Sequence, residues 1–528
     1  MRSPVHRLPV SAMLLALALA VPRLLAAQTT APPPDLDAFV EEVLRAFEVP
    51  GIGLAIVKDG EVVVARGYGV RRMGEAEPAD AHTLFGIASN TKVFTATAVG
   101  MLVEEGKLGW DAPVVDYLPW FRLSDPYVTE ELTVRDLLVH RSGLGLGAGD
   151  LLWWPSSTYD RKEIVRRLRF IPLETSFRSA YAYDNVLYSV AGEVIEAVTS
   201  ESWESFVQSR ILERVGMADS DVRHSAAAEG GNVAHPHARV EGVVRPVTPF
   251  TSDNVNPAGG INASATDMAK WMNVQLARGK LADGDSLFSQ ATSRQLWSIV
   301  TPLRPGNPPP ELEPLRANFV GYALGLFARD YRGRKILNHT GGLPGFVSKV
   351  TLVPDLDLGV AVLTNQESGA AFEAITYRVL DHYLDAPAHD WLGAYRAVMA
   401  RSDSSAAAGE ARTAASRDSM VGPSLPLAKY AGTYRDPWYG DVAVAHENGR
   451  LAIRFSHTPA LVGDLEHWQY DTFLARWRDR ELRADAFVTF QLNPDGSIDR
   501  VRMVAASPTV DFSYDFQDLD LEPVEGAQ

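Results

Sequence analysis

Residues 84–108 read LFGIASNTKVFTATAVGMLVEEGKL. The run from Ser89 to Glu105 predicts a helix, stopped at Gly106, where glycine relieves the left-handed cap. Ser89 and Lys92 stand three apart at the start of that helix, so both side chains share one face. A serine there lies beside unpaired backbone N–H groups and the positive end of the helix dipole, which favour a developing anion. A lysine beside it, once desolvated, gives up its own proton more easily and can accept the hydroxyl proton. The same spacing also fits a helix N-cap serine with a solvated lysine, so the tetrad alone decides nothing.

Working outward, residues 36–48 carry the helical apolar set Leu36, Phe39, Val40, Val43, Leu44 and Phe47. GIGLAIVKDGEVVVARGYGV (51–70) reads as two strands joined at Asp59-Gly60, a hairpin signal. Further helices are expected at 132–140, 184–198, 202–214, 265–278, 290–299 and 370–384, and strands in VGYALGLFA, RKILNHT, GFVSKVTLVP and LGVAVLTN between 320 and 365. Strands at both ends of a mainly helical middle imply an α+β unit, one antiparallel sheet with helices packed on it. Residues 402–425 are small and polar and read as a linker. Beyond Pro426, KYAGTYR, DVAVAHENGRLAIRF and AFVTFQLNPDGSIDRVRMV predict a small all-β unit, a barrel or a sandwich. Its aromatics, among them Trp438, Tyr439, Trp468, Tyr470, Phe473 and Trp477, suit a core and an interface better than a sugar platform.

Composition narrows the chemistry. The 528 residues contain no cysteine, which removes disulfides, thiol nucleophiles and thiolate metal sites. A net charge of −16 argues against a nucleic-acid partner, since phosphate contacts need a basic face. His235-Pro236-His237 is the one close histidine pair, held extended by its proline, and no metal is expected. At the N-terminus, Arg2, His6 and Arg7 precede the apolar run Val10–Val21 and then small residues. This pattern predicts a signal peptide over 1–27, cut after Ala27, and an exported protein, periplasmic or extracellular, without a membrane span after cleavage.

Two more segments carry candidate chemistry. FRSAYAYDNVLYSVAGEVIEAV (177–198) places Tyr183 and Asn185 at another helix start. A phenol can shuttle protons when a cation lowers its pKa, and an amide can hold a substrate carbonyl; a core tyrosine with an N-cap asparagine reads equally well. KILNHTGGLPGFVSKV (335–350) ends a strand with His339, Thr340, Gly341 and Gly342. Small residues there leave backbone N–H groups open toward a ligand, as would an ordinary glycine turn. No Gly-x-Ser-x-Gly elbow is present.

Ser-x-x-Lys, Tyr-x-Asn and His-Thr-Gly in this order resemble the serine β-lactamase and penicillin-binding-protein superfamily, in its class C β-lactamase-like branch of esterases, D-peptidases and β-lactamases. LTVRDLLVHRSGL (132–144) and NPAGGINASATDMAKWM (256–272) support the resemblance, which covers about residues 35–385. It implies a β-lactamase-like domain over 28–395, a linker over 396–426 and a lipocalin-like β domain over 427–528. It also implies Ser89 as nucleophile, Lys92 as general base and Tyr183 as proton relay, its phenolate favoured by Lys92. Asn185 would then position the substrate and Ser89 and Gly342 N–H groups would form the oxyanion hole, in a site that needs no cofactor. His140 is implied to make a structural hydrogen bond behind the site. His339 stands where β-lactamases place lysine, which weakens recognition of a substrate carboxylate because histidine is mostly neutral at pH 7. The implied substrates are small esters, amides or peptides. Gly143–Trp154 offers an apolar wall to the pocket, though buried structural tryptophans fit it better. A silent binding or scaffold protein on the same fold is the alternative, and no oligomeric state follows.

Overall fold

The computed structural model describes residues 30–524; the expected signal peptide, 1–27, lies outside them. An eight-stranded antiparallel sheet runs in the order Glu61–Gly69, Gly51–Lys58, Leu358–Thr364, Phe346–Val353, Arg334–Leu343, Phe327–Tyr331, Val320–Tyr322 and Thr301–Leu303. Gly51–Lys58 is buried along its whole length, which is why it reads as an unbroken apolar run instead of an alternation. Asp59 and Gly60 both take positive φ, 54° and 81°, as a two-residue hairpin turn matched to strand twist requires.

The two faces of the sheet bury different partners. Ile52, Leu54, Ile56, Val360 and Val362 pack with the helices Leu36–Phe47, Gly369–Tyr383 and the start of Trp391–Ala415. The opposite face carries small residues, with Ala55 directly across from Ala361, so the helix Ala265–Leu276 can approach closely. At Gly359 an added methyl would already press on Met272 of that helix. Beyond it lies the helical layer, with Lys92–Glu104 at its centre. Residues 92–102 of this helix are buried on every side, so it shows no amphipathic stripe. Phe94 stacks on Trp271 with ring centres 3.9 Å apart.

Two expectations need correction, and a third, the all-β C-terminal unit, takes the barrel form. The stretch 396–426, expected as a linker, is helical through Ala415 as part of the 25-residue helix Trp391–Ala415. Alanine's helix propensity outweighs the small, polar composition there. Residues 132–140 form only the short 3-10 turn Asp136–Leu138, after a helix at Pro126–Glu131. The buried Asp136 carboxylate bends this chain around itself, accepting from Thr133, Arg141 and Arg178. The C-terminal unit is a nearly closed eight-stranded antiparallel barrel. Val462–Gln469 and Thr472–Trp477, unrecognised because of their interleaved charges, form its middle hairpin. Glu522–Pro523 pairs with Gly432–Asp436, and Val501 bonds Leu521, which brings the two edges together.

Candidate active site

Ser89 sits in a 3-10 turn, Ala88–Thr91, that leads into the Lys92–Glu104 helix. Ala88 holds φ at 49°, a left-handed conformation that a non-glycine residue keeps only when its surroundings impose it. The surroundings are the strand Arg334–Leu343. Gly341 passes so close that a methyl there would overlap the Ile87 carbonyl oxygen. Beyond Asn338 this strand's outer edge has no strand beside it among the described residues, and Thr340 and Gly342 face the same cavity as Ser89.

Lys92 is fully buried and its Nζ has three oxygen partners: Ser89 Oγ at 3.0 Å, Asn185 Oδ1 at 2.8 Å and the Ala258 carbonyl at 3.0 Å. Burial pulls its pKa from 10.5 to about 7, against the opposing pull of Asp150 and Asp184. Two of the three partners can only accept. A neutral Lys92 therefore gives its two N–H bonds to Asn185 and Ala258 and leaves its lone pair aimed at the Ser89 hydroxyl.

Tyr183 hydrogen-bonds Ser89 from the other side, and Lys92 Nζ lies 4.9 Å from the centre of its ring. The expectation of a phenolate favoured by Lys92 does not hold. Burial raises the phenol well above its ordinary pKa, against the opposing effect of the Ser89 hydrogen bond, so the hydroxyl keeps its proton. Asn185 has a further task. Its amide oxygen accepts from Lys92 and its nitrogen donates to Asp150 Oδ2 at 2.8 Å, so it orients the lysine while it also lines the cavity beside Ser89.

His339 donates or accepts at 2.9 Å with Tyr322, and burial plus repulsion from Lys92 lower its pKa to about 3. It is a neutral wall. His140, with φ at 55°, accepts the Asp184 N–H at 3.2 Å behind the site. His237 has both ring nitrogens engaged, by the Met73 N–H and by Asn365 O.

All eight expected site residues meet here except that Lys92 and Gly341 stand just behind the surface of the cavity. Its volume is about 270 Å³. Trp153 and Trp154 both line it and are almost wholly buried, so the two readings of that loop hold together. Two further groups carry no local signal in the sequence. Asp150 is buried behind Asn185 with its pKa raised to about 7. Asp511, Phe512 and Ser513 enter the same cavity from the barrel.

A family model described as Beta-lactamase matches residues 36–384, and one described as a domain of unknown function matches 416–523. Over 471 residues the chain is 30% identical to an unguisins hydrolase of Aspergillus violaceofuscus, covering 84% of this chain and 82% of that one. The octameric penicillin-binding protein homologue from Pyrococcus abyssi superposes with a TM-score of 0.59 at 23% identity, over 92% of this chain and 99% of that one. A D-stereospecific amidohydrolase from Streptomyces sp. gives 0.52 at 22% identity, over 67% and 100%. With three motifs gathered around one cavity and a family model spanning most of the chain, this protein belongs to the beta-lactamase family of serine hydrolases.

Proposed function

We propose that Ser89 attacks the carbonyl of a small ester or amide and forms an acyl-enzyme. The observation that carries this reading is the set of partners around Lys92, which points a lone pair at the Ser89 hydroxyl. Lys92 takes the hydroxyl proton as Oγ bonds to the carbonyl carbon. The proton then passes through the Tyr183 hydroxyl to the leaving group, Tyr183 giving up its own proton as it receives the one from Lys92. In the second half, water gives a proton through Tyr183 to Lys92 as its oxygen bonds to the acyl carbon, and Lys92 returns a proton to Oγ as the bond from Oγ to that carbon breaks. Gly342 and the first-turn N–H of Ser89 supply the oxyanion donors.

The cavity supports an apolar acyl group without a nearby carboxylate. Trp153, Trp154, Tyr181, Phe327 and Phe512 wall it, His339 is uncharged, and among the described residues its lining carries one acid, Asp511, and no lysine or arginine. Ester or peptide hydrolysis therefore ranks above β-lactam hydrolysis, and the 30% identical relative is itself named a hydrolase.

Mature protein hydrolysing p-nitrophenyl butyrate and quenched in mid-turnover is expected to carry a butyryl group on the Ser89 peptide. Its kcat/KM is expected to rise with pH through about 7, because only deprotonated Lys92 accepts a proton and burial has brought its pKa there. An unlabelled Ser89 during turnover, or an acid limb near the ordinary lysine value, sinks the reading. The basic, apolar and small-residue pattern of 1–27 supports export. Sequencing of protein from the periplasm or medium is expected to begin at Gln28; a start at Met1 contradicts export by cleavage.

A further inference from the structure

The barrel domain is tied into the hydrolytic centre through one short segment. Asp515 is buried, and its carboxylate accepts the Gly149 N–H at 2.7 Å and the Leu151 N–H at 3.0 Å. Phe512 lies over Gly147, where a methyl group would come within 2.8 Å of its ring, and stands edge-on to Tyr183. Between them Ser513, itself buried, donates to Asp150 Oδ2 at 2.8 Å. That same oxygen accepts from Asn185, while the other accepts from Trp153 Nε1 at 2.8 Å. A continuous chain of hydrogen bonds thus runs from Ser513 through Asp150, Asn185 and Lys92 to Ser89.

We propose that Ser513 of the barrel is a positioning residue for Lys92, and that the barrel is thereby a working part of the hydrolase. The chemistry turns on the amide of Asn185, which has a donor end and an acceptor end. With a carboxylate on one side, the amide must present its nitrogen there and its oxygen to Lys92. Turned over, the amide would donate into the lysine lone pair and block the base. Asp150 holds the correct sense only while Oδ2 stays deprotonated and aimed at Asn185. Burial works against that, raising the carboxyl to about 7, and the Ser513 hydroxyl is one of the donors that opposes the rise. The charged and titratable groups facing this chain are Asp515, Lys92 and Tyr183 around Asp150, and Asp184, Tyr183, Tyr188, His140 and His339 around Lys92.

The inference rests on Ser89 and Lys92 as nucleophile and base, so the test carries Ser89→Ala beside the Ser513 variants. Full-length Ser513→Ala is expected to hydrolyse p-nitrophenyl butyrate with kcat lowered about tenfold, the loss of one hydrogen bond to a charged group, and with KM little changed. Its acid limb should move to higher pH, since Asp150 without this donor takes a proton more readily and, once protonated, no longer holds the Asn185 amide in its working sense. Ser513→Thr, which keeps the hydroxyl, should recover most of the rate. Wild-type kcat and acid limb in Ser513→Ala, with Ser89→Ala inactive, overturn the inference and leave the hydrolase reading standing. A loss confined to KM, or one that threonine does not recover at an unchanged thermal midpoint, assigns Ser513 to packing and also overturns it. Full turnover by Ser89→Ala instead removes the nucleophile, and the proposed function falls with everything built on it.

Discussion

Ser89→Ala, Lys92→Met and the double variant are each expected to lose about 10⁴-fold in kcat/KM toward p-nitrophenyl butyrate, with the double variant no worse than either single one. The two side chains act as one unit. Without the base, Ser89 is an ordinary alcohol, and without the hydroxyl, Lys92 has no proton to accept. Methionine is the informative replacement because it fills nearly the volume of a lysine that is fully buried and leaves no large cavity. It also removes an amine whose burial costs free energy, shown by its pKa falling from 10.5 to about 7. The Lys92→Met protein should therefore unfold at the same temperature as the wild type or higher, although the Asn185 and Ala258 oxygens lose a donor. Steady-state kinetics and a thermal melt on the same samples check both halves. Multiplicative losses in the double variant would mean that Ser89 and Lys92 serve separate steps.

Gly341→Ala is expected to lose about 10²–10³-fold in kcat/KM, the scale of a lost oxyanion donor. The added methyl would meet the Ile87 carbonyl, with Ser348 Oγ and the Ala88 methyl also inside ordinary contact. Backbone and a short side chain cannot swing aside, so the strand must back away from the turn that carries Ser89. That motion separates the Ser89 and Gly342 N–H groups, which have to reach one oxygen together. Gly342→Ala is the contrasting variant. Its methyl would point into open space with nothing within 4 Å, so the backbone has no reason to move and the loss should be much smaller. Equal losses at the two glycines would show that side-chain bulk in the pocket, and not strand position, is what matters.

What the sequence made legible was local. Ser89 and Lys92, Tyr183 and Asn185, and His339 to Gly342 each lie within a few residues, and each group comes to the cavity or directly behind its surface on one turn or one strand edge. The antiparallel sheet was readable for the same reason, from short strands with turn residues between them. The roles that needed revision depend on surroundings. Tyr183 keeps its proton because of burial, and Asn185 also orients Lys92 because Asp150 lies behind it. Asp150 and Ser513 are 363 positions apart, and no periodicity or spacing connects residues at that distance. The helix through Ala415 was missed for a different reason. Only its first turns, Trp391 to Tyr395, are buried, so it carries no apolar stripe to announce it.

The placement of the first hairpin sets an order in time for making this molecule. Gly51–Lys58 pairs on one side with the adjacent Glu61–Gly69, but on the other with Leu358–Thr364. During synthesis its second edge stays open until some three hundred further residues have emerged, and a long-lived open edge invites pairing with other chains. Ser513 meets Asp150 later still. A nascent chain can therefore complete its sheet only late and its hydrogen-bonded site last, so the open edge of the early hairpin is a stretch that a holdase would have reason to cover until then.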